Sequence, residues 1–528
     1  MKKRLITLSL ALFSFGVMNF FYGQENPDAK VVNWYNGKGP GMNTEKAYAA
    51  LKGQKSTTVI VAVIDSGIDI EHKDLQGKIW TNEDEIPNNG IDDDNNGYID
   101  DIHGWNFLGG SDGSNQKYAR LEKTRVLASL EERFKGVESG NVSAADRADY
   151  DLYKKLDKEI KAELAEAEAN LKSYTGLKEK FPMMKAQITE KLGANFTLAD
   201  AMKWEPASSK ETQLKQLALA MASGQLTDEE LDEAIEYFKT QIDYQYNVSY
   251  NDRAAIGDDP HDFNDVKYGN NDVEGPDALH GTHVGGIIGA TRGNNLGGDG
   301  VCENVKLMSL RAVPDGDEQD KDIALAIRYA VDNGAMVINM SFGKAYSMHQ
   351  KEVYEAFAYA ESKGVLLVHA AGNESTNVDQ SDNFPSSMYS FQTKKLNNYI
   401  TIGASTRFAK GKLAAEFSNY GKTKVDVFAP GAEIYNSVPQ SDYKVLQGTS
   451  MAAPMVAGVA AMLKSYFPTL TMVQIKDAML QSAKSYAGVK VETPGTGEMI
   501  DFAELSATGG VIDLVAAVKK CKSMVAGK

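Results

Sequence analysis

The chain has 528 residues, of which 42% are hydrophobic and 24% charged, with a net charge of −16. That length holds one large or two ordinary domains with ample core, and the composition is that of a soluble globular protein. The negative balance argues against a nucleic-acid partner, because a phosphate backbone would be repelled.

The opening stretch MKKRLITLSLALFSFGVMNFFYGQ joins Lys2, Lys3 and Arg4 to an apolar run that starts at Leu5. This is the pattern of a secretory signal over residues 1–23, with a retained anchor helix as the rival reading. No cysteine stands at the junction, so no lipid anchor is expected there. No later segment is apolar enough to span a membrane. The expected location is secreted or periplasmic, with no stable membrane span after signal cleavage. Cys302 and Cys521 either pair or remain buried thiols, and the sequence leaves both open.

Residues 24–114 begin an α/β domain. VIVAVI (59–64) reads as a buried strand that ends in Asp65-Ser66-Gly67. In NNGIDDDNNGYIDDIHGW, residues Asp92, Asp94, Asn96, Gly97, Tyr98 and Asp100 fall at positions 1, 3, 5, 6, 7 and 9 of a calcium loop, Tyr98 offering its carbonyl. Hard oxygen ligands with a turn glycine suit a structural Ca2+. Position 12 is His103, not glutamate, so a further carboxylate such as Asp101 would complete the shell. The alternative is a solvated acidic turn whose side chains cap the backbone.

Residues 115–250 change texture. Leu156, Ile160, Leu164, Ala167 and Leu171 recur at helical spacing, as do Leu231, Ile235, Phe238, Ile242 and Tyr246. Thr227 with Glu230, and Ser208 with Glu211, mark helix starts. This is a helical insertion, expected either to pack beside a cleft or to be a surface elaboration.

Residues 251–528 return to short apolar runs alternating with helical patterns. The runs are VKLMSLRAV (305–313), MVINMSF (336–342), VLLVHAA (365–371), ITIGAS (400–405) and VDVFAP (425–430). Such alternation predicts crossover units and a mostly parallel sheet, whose chemistry gathers at the carboxyl ends of the strands. Asp65 stands at one such end, Gly343 at another and Gly372-Asn373-Glu374 at a third. HGTHVGGIIGA (280–290) and GTSMAAPMVAGVAAML (448–463) begin helices with His280 and Ser450.

Five of these pieces, VIDSGID (63–69), HGTHVGG (280–286), NMSFG (339–343), AAGN (370–373) and GTSMAAP (448–454), together resemble the subtilisin-like serine peptidases. They stand in the family's order of Asp, His, Ser, and the likeness covers residues 59–77 and about 276–518. The resemblance implies a three-layer α/β/α domain with a mostly parallel sheet, here carrying an inserted helical subdomain. It implies a serine endopeptidase acting on protein or peptide substrates. Ser450 becomes the nucleophile, His280 its general base and Asp65 the residue that orients the imidazole. Asn373 and the Ser450 N–H would receive the oxyanion.

Ser341, Phe342 and Gly343 match the substrate-binding edge, where an extended peptide pairs its backbone, and Ala371 and Gly372 lie on the segment leading to Asn373. Leu279 stands where the family usually has glycine. His283 is expected to be packed, and His72 and His369 to be structural. Glu374 either favours a basic substrate side chain or is a solvated loop charge. Family members often carry an N-terminal prosegment, for which the stretch ahead of Val59 is short. Two other functions share these residues: a catalytically silent peptide-binding protein and an esterase.

Overall fold

The computed structural model describes residues 29–527, so the expected signal segment lies outside the described residues. The chain forms two compact units. One comprises the chain up to Lys117, Arg253–Pro314 and Glu318–Lys528; the other comprises Tyr118–Asp252 with Asp315–Asp317.

The first unit is built on β1 (Val59–Asp65), β2 (Gly104–Asn106), β3 (Val305–Arg311), β4 (Val337–Met340), β5 (Leu366–Ala370), β6 (Tyr399–Ser405) and β7 (Val427–Pro430). Then follow the hairpin β8 (Ile434–Val438) and β9 (Asp442–Leu446), the short β10 (Lys484–Ser485), the hairpin β11 (Lys490–Glu492) and β12 (Met499–Asp501), and β13 (Gly510–Val511). Nine of these share one sheet in the order β10-β13-β7-β6-β5-β4-β1-β3-β2. Its pairs are parallel apart from β10 with β13.

β1 is rich in β-branched residues, which fit a pleated surface, and all but Ile60 are buried. Its side chains alternate between two cores, as period-two geometry requires. Val61 and Val63 face a core shared with Val284 and Ile287 of helix Leu279–Gly289 and with Val456 and Val459 of helix Thr449–Tyr466. Ala62 and Ile64 face the core of helices Asp320–Asp332 and Gln350–Ser362. The expected three-layer α/β/α arrangement is therefore present. From β1 the strand order runs to β3 and β2 on one side and to β4 through β7 on the other. The end of β1, at Asp65, is the switch point where such sheets open a crevice.

Before β1, helix Thr44–Leu51 buries Ala47 and Leu51, together with Tyr35 and Met42, in the same core as the Ser450 helix. Leu514 N donates to Met42 O at 2.9 Å, so this stretch belongs to the domain. Cys302 and Cys521 are both free and buried. Burial pushes their thiols up to about 12 and about 11.

The second unit is helical. Its longest element, Arg147–Leu192, has 46 residues and carries Pro182 inside it. Ile188 packs with Ala201, Trp204, Leu214 and Ala218, and Phe181 packs with Leu226 and Leu231. Ser208 and Thr227 accept from the Glu211 and Glu230 amides, as their spacing predicts. At Ser208 the return bond comes from Ala207 N instead of the cap's own amide. No described helix is long and apolar enough to cross a membrane.

Candidate active site

Asp65 closes β1, where its side chain is 2% exposed. His280 is the second residue of helix Leu279–Gly289, and Gly281 lets that helix approach the Asp65 turn. A Cβ on Gly281 would lie 2.1 Å from Gly67 O. The approach brings the imidazole to the carboxylate: His280 Nδ1 donates to Asp65 Oδ1 at 2.7 Å. The same oxygen accepts from Ser66 N at 2.8 Å, while Oδ2 is buried without a hydrogen-bond partner. A carboxylate so poorly solvated gains from a cationic imidazole beside it. Burial opposes the charged imidazole, but the Asp65 charge and hydrogen bond, with help from Asp277, outweigh it and raise the His280 pKa above 6.5. The imidazole side chain still keeps 26% of its surface exposed, so a reactant can reach it.

Ser450 is the second residue of helix Thr449–Tyr466, whose N-cap is Gly448. It is not the cap, so its hydroxyl is not spent on the helix terminus. In this structure Ser450 Oγ donates to Ser341 O at 3.1 Å, and Ser341 Oγ donates in return to Ser450 O at 2.9 Å. The second bond has a cause in the helix. Pro454 stands four residues on and has no N–H to offer the Ser450 carbonyl, which Ser341 satisfies instead.

Asn373 is oriented by Thr449, whose N and Oγ1 donate to Asn373 Oδ1 at 2.8 and 3.0 Å. That fixes which end of the amide is the donor. A carbon added to Gly448 would lie 3.5 Å from Ser450 N and 3.6 Å from Asn373 Nδ2. Two N–H donors therefore converge on a space that glycine leaves open, a geometry able to hold a developing oxyanion. Thr449 escaped the sequence reading because a threonine at a helix start reads as an ordinary terminus.

The expected substrate edge follows β4. Phe342 is buried, with its carbonyl accepting from His369 Nε2 at 2.9 Å, while Gly343 is exposed. Ala371 O accepts from Asn383 and Asn419, and Gly372 N donates to Thr449 Oγ1 at 3.1 Å. The exposed Glu374 is held through its carboxylate by Asn419 Nδ2. His283 and His369 are buried, and burial lowers them to about 3 and about 4. Both stay neutral and bond backbone carbonyls. His72 Nδ1 accepts from Asp74 N.

At the acidic loop, carboxylate oxygens of Glu85, Asp92 and Asp94 lie within 4.8 Å of one another. Burial, with Asp101 and Asp94 adding to it, raises the Glu85 pKa, a penalty that a divalent cation there would reverse. Asn96 reaches both Asp94 and Asp101 through Nδ2. The Tyr98 ring packs against Trp105 and Tyr329, and its N–H donates to Asn96 Oδ1 at 2.8 Å. Asp100 is turned away: its carboxylate accepts from Asn89 N and Gly90 N at 3.1 and 2.9 Å. Glu85, seven residues before Asp92, lies outside the spacing pattern from which the loop was read.

A model of the subtilase family matches residues 56–497. A thermophilic serine proteinase of a Bacillus species is 38% identical over 210 residues, 40% of this chain and 48% of that protein. Subtilisin DY of Bacillus licheniformis is 34% identical over 206 residues, 39% of this chain and 70% of its own length. The halolysin-like extracellular serine protease Nep of Natrialba magadii is 33% identical over 286 residues, 53% of this chain and 46% of that protein. The chain thus spans about half the length of the first and third of these relatives. A solved protease from Pseudoalteromonas arctica covers 46% of this chain and 70% of its own at 30% identity, with a TM-score of 0.37.

Proposed function

This chain belongs to the subtilase family, and from that premise we propose that it is an exported serine endopeptidase working through a Ser450 acyl-enzyme. Ser450 Oγ attacks the scissile carbonyl while His280 Nε2 removes its proton. For this the hydroxyl leaves Ser341 O by rotating about χ1; such bonds commonly tighten only when substrate binds. His280 then returns the proton to the leaving amine, with Asp65 stabilising the imidazolium between the two transfers. Asn373 Nδ2 and Ser450 N hold the oxyanion, and Thr449 keeps the amide turned the right way. Ser341, Phe342 and Gly343 pair with one face of an extended peptide, opposite Ala371 and Gly372.

Two observations support this reading: the 2.7 Å Asp65–His280 bond, and the two N–H donors that converge at Gly448. The basic-then-apolar opening of the chain supports export. Calcium fits the Glu85, Asp92 and Asp94 oxygens, with Asn96, the Tyr98 carbonyl and Asp101 nearby to complete the shell. Its place is structural, holding the loop that leads into β2.

Cleavage of a denatured protein substrate tests the reading. Ser450→Ala and His280→Ala are each expected to reduce it at least about 10⁴-fold. A Ser450→Ala variant as active as the wild type would contradict it.

A further inference from the structure

Asp65 and His280 are 215 positions apart, and the chain between them leaves the first unit after Lys117 and returns to it at Arg253. Contacts within the first unit must therefore hold both ends of that excursion to the Asp65 turn. Arg311 stands where they meet. It closes β3 and is the register partner of Asp65 on β1. Although only 2% exposed, it reaches several stretches of chain. Its Nε donates at 3.1 Å to the carbonyl of Ser66, the residue after Asp65. Nη1 donates to Asn106 Oδ1 at 2.8 Å and to Asn115 Oδ1 at 3.4 Å, and Nη2 to Gln116 O at 2.6 Å. Gly275, on the stretch that leads into the His280 helix, lies against the same guanidinium: a Cβ there would stand 2.2 Å from Arg311 Nε.

All of these acceptors are neutral, and Arg311 makes no ion pair among the described residues. Burying such a cation is costly, and burial pulls its pKa down to about 10, with Asp272, Asp277 and Asp322 offsetting part of the loss. An apolar side chain would fill this place at lower cost. What the guanidinium supplies is a planar fork that holds several oxygens in fixed relation. The stretches it holds are joined again around it. Asn106 Nδ2 donates to Asn115 Oδ1 and Asn270 Oδ1 at 2.7 and 2.8 Å, and the Asp272 carboxylate accepts from Asn115 Nδ2 at 2.8 Å and from Gly275 N at 2.9 Å. At the Asp65 turn, Ser66 N donates to Asp65 Oδ1, the oxygen that receives His280 Nδ1. Ser66 is thus fixed at both backbone polar groups, by Arg311 at its carbonyl and by Asp65 at its amide. Ile68 N donates to Val273 O at 3.0 Å, tying the turn to the stretch ahead of His280.

We propose that Arg311 is a positioning residue for the catalytic pair: by fixing the Ser66 carbonyl to Asn106, Asn115, Gln116 and the Gly275 backbone, it holds the Asp65 carboxylate and the His280 imidazole at bonding distance. Arg311 makes no hydrogen bond to either of them and acts through Ser66. The assignment rests on the endopeptidase reading above and adds a residue to its machinery.

The test compares Arg311→Gln and Gly275→Ala with the wild type on one fluorogenic peptide, well below each protein's Tm. Arg311→Gln removes the fork, while Gly275→Ala keeps the arginine and pushes it off the Ser66 carbonyl. Each is expected to lower kcat about 10²-fold with KM within about twofold, the effect of misplacing a catalytic group by about 1 Å. The acid limb of kcat/KM should move to lower pH, because the Asp65 bond that raises His280 is loosened and Arg311 is not itself among the groups that shift it. A double-mutant cycle with Asp65→Asn separates positioning from a general loss of structure. If Arg311 acts through Asp65, Asp65→Asn/Arg311→Gln is within about twofold of Asp65→Asn alone. Should Arg311→Gln not fold, Gly275→Ala gives the same three readings, its cycle included. Losses that multiply in the double variant, an unmoved limb, or equal changes in kcat and KM would overturn the assignment while leaving the endopeptidase standing. A wild type that neither cleaves nor takes a serine-directed phosphonate at Ser450 would overturn both.

Discussion

At the scale of single residues, the account makes His280 a base whose readiness is set by its neighbours. The imidazole must be neutral to accept the Ser450 proton, so kcat/KM should rise with pH through the raised His280 pKa, above 6.5. Asp65→Asn removes the strongest influence raising that pKa. The acid limb should then move to lower pH while the plateau falls by about 10³–10⁴-fold. An unmoved limb would mean that another group titrates. Thr449→Val keeps the volume but loses the hydroxyl that holds Asn373 Oδ1. We expect kcat to fall about tenfold with KM within about twofold, since the amide donor serves the transition state and not the bound peptide. Equal changes in kcat and KM would argue against that role. Asp65, His280, Asn373 and Ser450 were conspicuous in the sequence as candidates because each sits in a motif whose neighbours are also present. Thr449 was not, since a hydroxyl on a helix carries no pattern until its partner is known.

At the scale of elements, the Ser450 helix and the end of β4 are clasped by two reciprocal bonds, one made available by Pro454. Ser341→Ala keeps the bond from Ser450 Oγ to the Ser341 carbonyl but removes the one to Ser450 O, and it deprives Asn339 Nδ2 of its 2.9 Å acceptor. A loss of about 1–3 kcal/mol is expected in urea unfolding, the cost of leaving buried polar groups unpaired. No change in the unfolding midpoint would show that water replaces the bond freely. Strand positions were largely readable, because runs such as VIVAVI are buried on both faces. Their ends were read too long: β4 stops at Met340, where Ser341 turns to the helix, and β3 at Arg311. The hairpin of β8 and β9 went unread, its alternating polar residues giving no continuous apolar run. In the acidic loop the spacing gave Asp92 and Asp94 but could not foresee that Asp100, at a φ of 53°, turns to cap Asn89 and Gly90.

At the scale of the whole molecule, the stretch ahead of β1 and the acidic loop both bear on stability. Calcium held at the proposed loop would stabilise the folded state by mass action, by about 2.7 kcal/mol at a hundred times Kd. A chelator should therefore lower Tm, and Asp92→Asn/Asp94→Asn should lower it in calcium and abolish the chelator response. A double variant that still responds would place the ion elsewhere. The central claim is that Ser450 is the one nucleophile. It is tested most directly by labelling the whole protein with a serine-directed phosphonate and mapping the adduct by mass spectrometry. The account expects the label on Ser450 alone, lost in Ser450→Ala and sharply slowed in His280→Ala. Undiminished labelling of Ser450→Ala, or an adduct on another residue, would contradict it.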